Sequence, residues 1–102
     1  MTAHLTIELL YFEGCPSYQQ LLPTVEQIAA QNGAELELRR VETPEAAASE
    51  RFLGSPTVRV NGVDVDPTAA ERNDFGLKCR IYRSTEGASP LPPEHWIHAA
   101  LA

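Results

Sequence analysis

The hydrophobic pattern of this chain changes period at one point, the run Gly14-Cys15-Pro16. Before it, Thr6-Ile7-Glu8-Leu9-Leu10-Tyr11-Phe12 is a short apolar run with little alternation, as expected of a strand buried on both faces. After it, over 16–31, Tyr18, Leu21, Leu22, Val25, Ile28 and Ala29 recur at steps of three and four, which predicts a helix. Pro16 suits the first helical turn, where a missing N–H costs nothing, and Asn32-Gly33 is a stop signal. Pro23 falls inside the helical stretch and predicts a kink. A strand that feeds directly into a helix makes β-α the first unit of the fold, and α/β the expected class.

A second strand is expected over 34–41, where Leu36, Leu38 and Val41 alternate with Glu35, Glu37 and Arg39. Thr43 is placed to cap a short Ala-rich helix over 44–52, with Pro44 at its first position. Thr57–Val60 reads as a third strand, Asn61-Gly62 as a two-residue hairpin turn, and Val63-Asp64-Val65 as a fourth strand. Between 66 and 90 the pattern weakens. Asp66-Pro67 opens a helical turn through Glu71, 77–82 reads as a strand, and 87–90 as loop. Pro92 or Pro93 starts a last helix, Glu94–Leu101, with Trp96, Ile97 and Ala100 or Leu101 on its apolar side. The order is β-α-β-α-β-β-α with an insert before the last helix. A right-handed crossover makes strands 1 and 2 parallel, and the hairpin makes strands 3 and 4 antiparallel. The expectation is a mixed four-stranded sheet covered by helices, an α/β sandwich forming a single domain over 1–102.

Composition narrows what such a domain does. Apolar residues make up 43% and charged residues 22%, as in ordinary globular chains and unlike disordered ones. The net charge is −6 and no basic run exceeds Arg39-Arg40, which argues against nucleic acid as a partner, because that binding needs cations to neutralise phosphates. An anionic membrane surface would repel the chain, and its apolar runs fall far short of the roughly 20 residues that span a bilayer. Residues 1–10 lack a basic n-region and include Glu8, so they do not read as a signal peptide, and a cytoplasmic location is expected. Two cysteines, Cys15 and Cys79, are too few for a disulfide scaffold and read as reactive or merely buried.

Cys15 lies between the end of a strand and the first turn of a helix. A thiolate there faces unpaired backbone N–H groups and the positive end of the helix dipole. Such placement lowers a thiol pKa from its free value of about 8.5 and makes the sulfur nucleophilic. An inert small residue at a strand–helix junction is the competing reading, and position alone does not separate the two.

Cys15-Pro16-Ser17-Tyr18 resembles the Cys-x-x-Cys motif of thioredoxins and glutaredoxins, and Cys-Pro is the usual glutaredoxin opening. Pro23 matches the kinking proline of that family's active-site helix, and Gly54-Ser55-Pro56-Thr57-Val58 its cis-proline loop, with Asn61-Gly62 following at nearly the family spacing. The similarity covers residues 5–65 in register, and the last helix fits as well. The resemblance implies the thioredoxin-like sandwich, a cis Pro56 facing Cys15, and thiol–disulfide exchange with Cys15 as nucleophile. It further implies a groove formed by Pro16, Tyr18, Ser55, Pro56 and Thr57 that takes an extended disulfide-bearing protein or a small thiol. No resident cofactor is implied; glutathione is a possible co-substrate.

The chain departs from the pattern at Tyr18, which stands where a dithiol enzyme keeps its second cysteine. Three readings stay open: a monothiol that relies on an external thiol, a pair completed by the distant Cys79, or a thioredoxin-like module that has lost redox chemistry and only binds. The hairpin returns strand 4 to the end of the sheet where Cys15 sits, so the insert is anchored there. A disulfide needs the two Cα atoms within about 7 Å. Against this, Cys79 lies in the alternating run Leu77-Lys78-Cys79-Arg80-Ile81-Tyr82 and equally reads as a buried strand residue. Lys78, Arg80 and Arg83 form the densest basic patch, a candidate, Arg80 foremost, for steadying a thiolate or gripping the carboxylates of glutathione, or else a solvated face. Tyr11, Phe12 and Tyr18 suit either a groove or the core. His95 and His98 share a helix face, but without a third ligand they make no metal site. Two thiols brought together also suit a soft ion such as mercury or copper(I). A Gly-Cys-Pro start in a small chain of this kind also resembles partners of organomercury metabolism.

Overall fold

A computed structural model describes residues 4–102; the first three residues of the stretch read above for a leader lie outside the described residues. Strand β1 (Thr6–Tyr11) leads into α1 (Ser17–Asn32), then β2 (Glu35–Arg40), α2 (Pro44–Ser49), β3 (Thr57–Val60) and β4 (Val63–Asp64). A short hairpin, β5 (Tyr82–Ser84) and β6 (Gly87–Ser89), precedes α3 (Glu94–Leu101). The main sheet has the order β2-β1-β3-β4. β1 is parallel to β2, with Leu9 opposite Leu38, and antiparallel to β3, with Leu9 opposite Val58. This is a mixed four-stranded sheet with three α-helices, as the pattern predicted. No helix among the described residues is long and apolar enough to cross a membrane.

The missing alternation of β1 has a simple cause: successive strand residues point to opposite faces, and here both faces are covered. Ile7 and Leu9 join Val58 and Val60 under α1 (Leu21, Val25, Ile28) and α3 (Ile97). Leu10 points the other way and packs with Val41, Ala47 and Phe52 beneath α2. Truncating a fully buried leucine such as Leu9 or Leu10 to alanine costs about 2–5 kcal/mol. β2 lies at the sheet edge, and the cluster under α1 takes in Leu36 but not Leu38, which stays 50% exposed. The expected alternation of β2 is therefore only half used.

Local signals fix the element ends. Pro23 lies inside α1, and Gly33 closes it at φ 63. Thr43 Oγ1 accepts from Ala46 N–H at 3.0 Å, the expected cap. α2 stops at Ser49 and not at 52, because Arg51 adopts φ 55 and turns the chain out of the helix. Asn61 (φ 51) and Gly62 (φ 86) both have the positive φ of a type I′ turn, and Asn61 Oδ1 accepts from Thr6 N–H at 2.9 Å, tying the turn to β1.

Two readings of the insert are corrected. Residues 77–82 do not form a strand; they make one isolated parallel bridge, Cys79 with Ser55, and regular pairing begins only at Tyr82. Residues 87–89 are strand rather than loop, paired with β5 through Tyr82 opposite Ser89. Strands of three residues are too short for alternation to register in sequence. The turn after Pro67 is a 3₁₀ turn, Ala69–Glu71.

Candidate functional site

β1 ends at Tyr11, and Gly14, at φ 97, swings the chain so that Cys15 falls just before α1. Pro16 (φ −71, ψ −17) already has helical backbone and leaves Ser17 as the first helical residue. On the facing side, the Ser55–Pro56 bond is cis, as expected, and Gly54 stands at φ 125. A Cβ at Gly54 would lie 2.9 Å from the Lys78 carbonyl oxygen and 3.0 Å from Arg80 Cβ. Glycine here lets residues 78–80 lie directly against the loop.

That contact brings the two cysteines together. Ser55 N–H donates to the Lys78 carbonyl at 2.8 Å, and Arg80 N–H donates to the Ser55 carbonyl at 2.9 Å. Cys79, held between those bonds, places its sulfur 3.5 Å from Cys15 Sγ and donates to it. When Cys15 carries its proton, it donates in turn to the Ser55 carbonyl at 3.4 Å. Both thiols are free, and a disulfide would close the gap to about 2.05 Å.

The two sulfurs differ in acidity and access. Burial pushes the Cys15 thiol up, but the polar groups of Ser55 and Ser17 beside it and the Cys79 thiol outweigh it and leave the pKa below the ordinary thiol value. Cys79 moves the other way: its hydrogen bond to Cys15, its burial and the neighbouring charge all push it up. Cys15 is thus the sulfur of the pair that ionises first, with the Cys79 thiol pointed at it. Cys15 is only 1% exposed, whereas Cys79 is exposed.

The expected groove residues sit differently from their reading. Pro16 is exposed and Tyr18 half-buried, its ring stacked on Tyr11 with centroids 4.1 Å apart. Phe12 packs beside the Leu10 cluster. Ser55, Pro56 and Thr57 are buried and line no open groove, because residues 78–82 cover them. The hydroxyl of Tyr82 donates to the Pro56 carbonyl, and Thr57 Oγ1 donates to the Gly54 carbonyl at 2.6 Å.

Arg80 is likewise not a substrate-facing cation. It is 1% exposed, ion-paired to Asp64 at 2.8 Å and to Asp66 at 3.2 Å, bonded to Thr57 Oγ1 at 3.0 Å, and stacked over Tyr82. Its carboxylate partners lie on β4 and just beyond, so it ties the insert to the sheet. A buried guanidinium needs this many partners to offset its desolvation. Lys78 pairs with Asp74 at 2.8 Å, and only Arg83 of the patch stays exposed without an ion pair among the described residues.

Ser17 is the residue that sequence reasoning missed. Its signal was a hydroxyl at the first helical position, two residues after the cysteine, where side-chain and backbone donors converge on an anion. His95 pairs with Glu86 at 3.8 Å, and no group of three or more His, Cys, Asp or Glu is set to hold a metal among the described residues. The chain matches no protein-family model and no curated protein sequence.

Proposed function

We propose that the protein is a thioredoxin-like thiol–disulfide oxidoreductase whose working pair is Cys15 and Cys79. The observation that carries this reading is the 3.5 Å approach of two free sulfurs that lie 64 residues apart in the chain. Their acidities are split, with Cys15 lowered and Cys79 raised, so the first proton to leave the pair is the one on Cys15. Exchange uses such a pair, because one sulfur attacks as a thiolate and the other resolves the mixed disulfide. The strand order and the placement of Cys15 before α1 support the thioredoxin-like reading. Cys79 then supplies the thiol that Tyr18 displaces. Substrates are disulfide-bearing proteins or small disulfides, and a cytoplasmic thiol of the glutathione class returns the protein to its dithiol form.

The test is catalysed reduction of hydroxyethyl disulfide with dithiothreitol as electron donor. The wild type is expected to accelerate the reaction, and the double variant Cys15→Ser/Cys79→Ser to abolish the acceleration. A wild-type rate equal to that of dithiothreitol alone would overturn the reading. The same sulfur pair also suits two-coordinate binding of mercury(II) or copper(I). Tight stoichiometric uptake of such an ion, with no exchange activity, would replace the redox reading by a sequestering one.

A further inference from the structure

The segment carrying Cys79 presents an inverted face. Along 77–82, Arg80 and Tyr82 turn inward, while Leu77, Cys79 and Ile81 turn outward, with Leu77 36% and Ile81 47% exposed. A strand-like segment shows alternate residues to opposite sides, so burying Arg80 against Asp64 and Asp66 forces Cys79 to face out. Beside it opens a cavity of about 430 Å³ that Cys79, Ile81, Lys78 and Arg83 help to line and Cys15 does not. Cys15 lies behind Cys79, and the backbone N–H and carbonyl of Ser55 beside it are both spent on Lys78 and Arg80. An incoming chain therefore finds no free pairing position at Ser55.

We propose that Cys79, and not Cys15, is the sulfur that meets an external disulfide, and that Cys15 acts second, inside the protein. This rests on the dithiol reading above and assigns the order of its steps. In the singly ionised pair, Cys79 passes its proton to the Cys15 sulfur it already touches and attacks one sulfur of the external disulfide. That S–S bond breaks, one half stays joined to Cys79, and the other leaves as a thiolate. The departing thiolate takes the proton from Cys15, which attacks Cys79 Sγ and releases the second half as a thiolate. The protein pair loses two electrons, the external disulfide gains them, and the single proton ends on one released thiol. A thiol of the glutathione class reverses the sequence. Cys15 thus stays a nucleophile, but of the internal step.

The experiment compares Cys15→Ser and Cys79→Ser in the full chain, each reacted with oxidised glutathione, with the mixed disulfide followed by mass spectrometry. Thiolate fraction alone puts Cys15 ahead; access reverses the order. Cys79→Ser, whose remaining sulfur is covered, is expected to react at least about tenfold more slowly than Cys15→Ser. A brief pulse of iodoacetamide on the wild type, which needs no folded variant, is expected to label Cys79 before Cys15. Equal or faster reaction at Cys15 in either experiment would overturn the proposed order. That result is distinct from failure of the dithiol reading, in which the wild type forms no internal disulfide at all.

Discussion

The lowered pKa of Cys15 draws on the polar groups of Ser55 and Ser17 and on the donating Cys79 thiol, all set against the cost of burial. Titrating the thiolate absorbance of the reduced protein is expected to show two steps, one below and one above the ordinary value of about 8.5. Cys79→Ser should leave a single step that stays below it, and Ser17→Ala should raise the lower step; one merged step at the ordinary value would contradict the assignment. The two shifts act oppositely on stability. The depressed Cys15 stabilises the fold above the unfolded thiol pKa, and that contribution is lost as pH falls through its folded value. The raised Cys79 stabilises the fold below the unfolded thiol pKa, and loses that contribution as pH rises through its own folded value. The place of Cys15 just ahead of α1 was legible because a strand–helix junction is a local pattern. Arg80 was not, because a basic residue in a basic run reads as solvated until Asp64 and Asp66 arrive from β4.

The elements around the site separate along the same line. β1, α1 and the Asn61-Gly62 hairpin were readable because period and turn residues are properties of neighbours in sequence. The 77–82 segment misled for a physical reason: a buried ion pair draws Arg80 inside with Tyr82 and leaves Leu77, Cys79 and Ile81 outside. Gly54 is the element-scale hinge of this arrangement, since the insert lies where its Cβ would be. Gly54→Ala meets both that clash and an unfavourable positive φ, and should lower the unfolding free energy by about 1–3 kcal/mol in urea denaturation. The same variant should slow oxidation of the cysteine pair, because the insert that carries Cys79 must shift away. Unchanged stability and an unchanged oxidation rate would show that the contact does not hold the site.

At the scale of the whole molecule, the site is a product of topology. β3 leaves the loop facing Cys15, β4 returns antiparallel to the same end, and everything after Asp66 starts there. That much was visible in the sequence, and it placed the insert on the correct side of the sheet. What it left open was which insert residue reaches Cys15, since that depends on the single Ser55–Cys79 bridge and on the carboxylates that draw Arg80 inward. The account therefore turns on whether two sulfurs at 3.5 Å react as a pair. The most direct measurement is peptide mapping by mass spectrometry after mild oxidation of the dilute protein. The expected result is loss of two hydrogen atoms, a fragment linking Cys15 to Cys79, and full reversal by dithiothreitol. Recovery of both cysteines as unlinked thiols, or as disulfides between separate molecules, would contradict it.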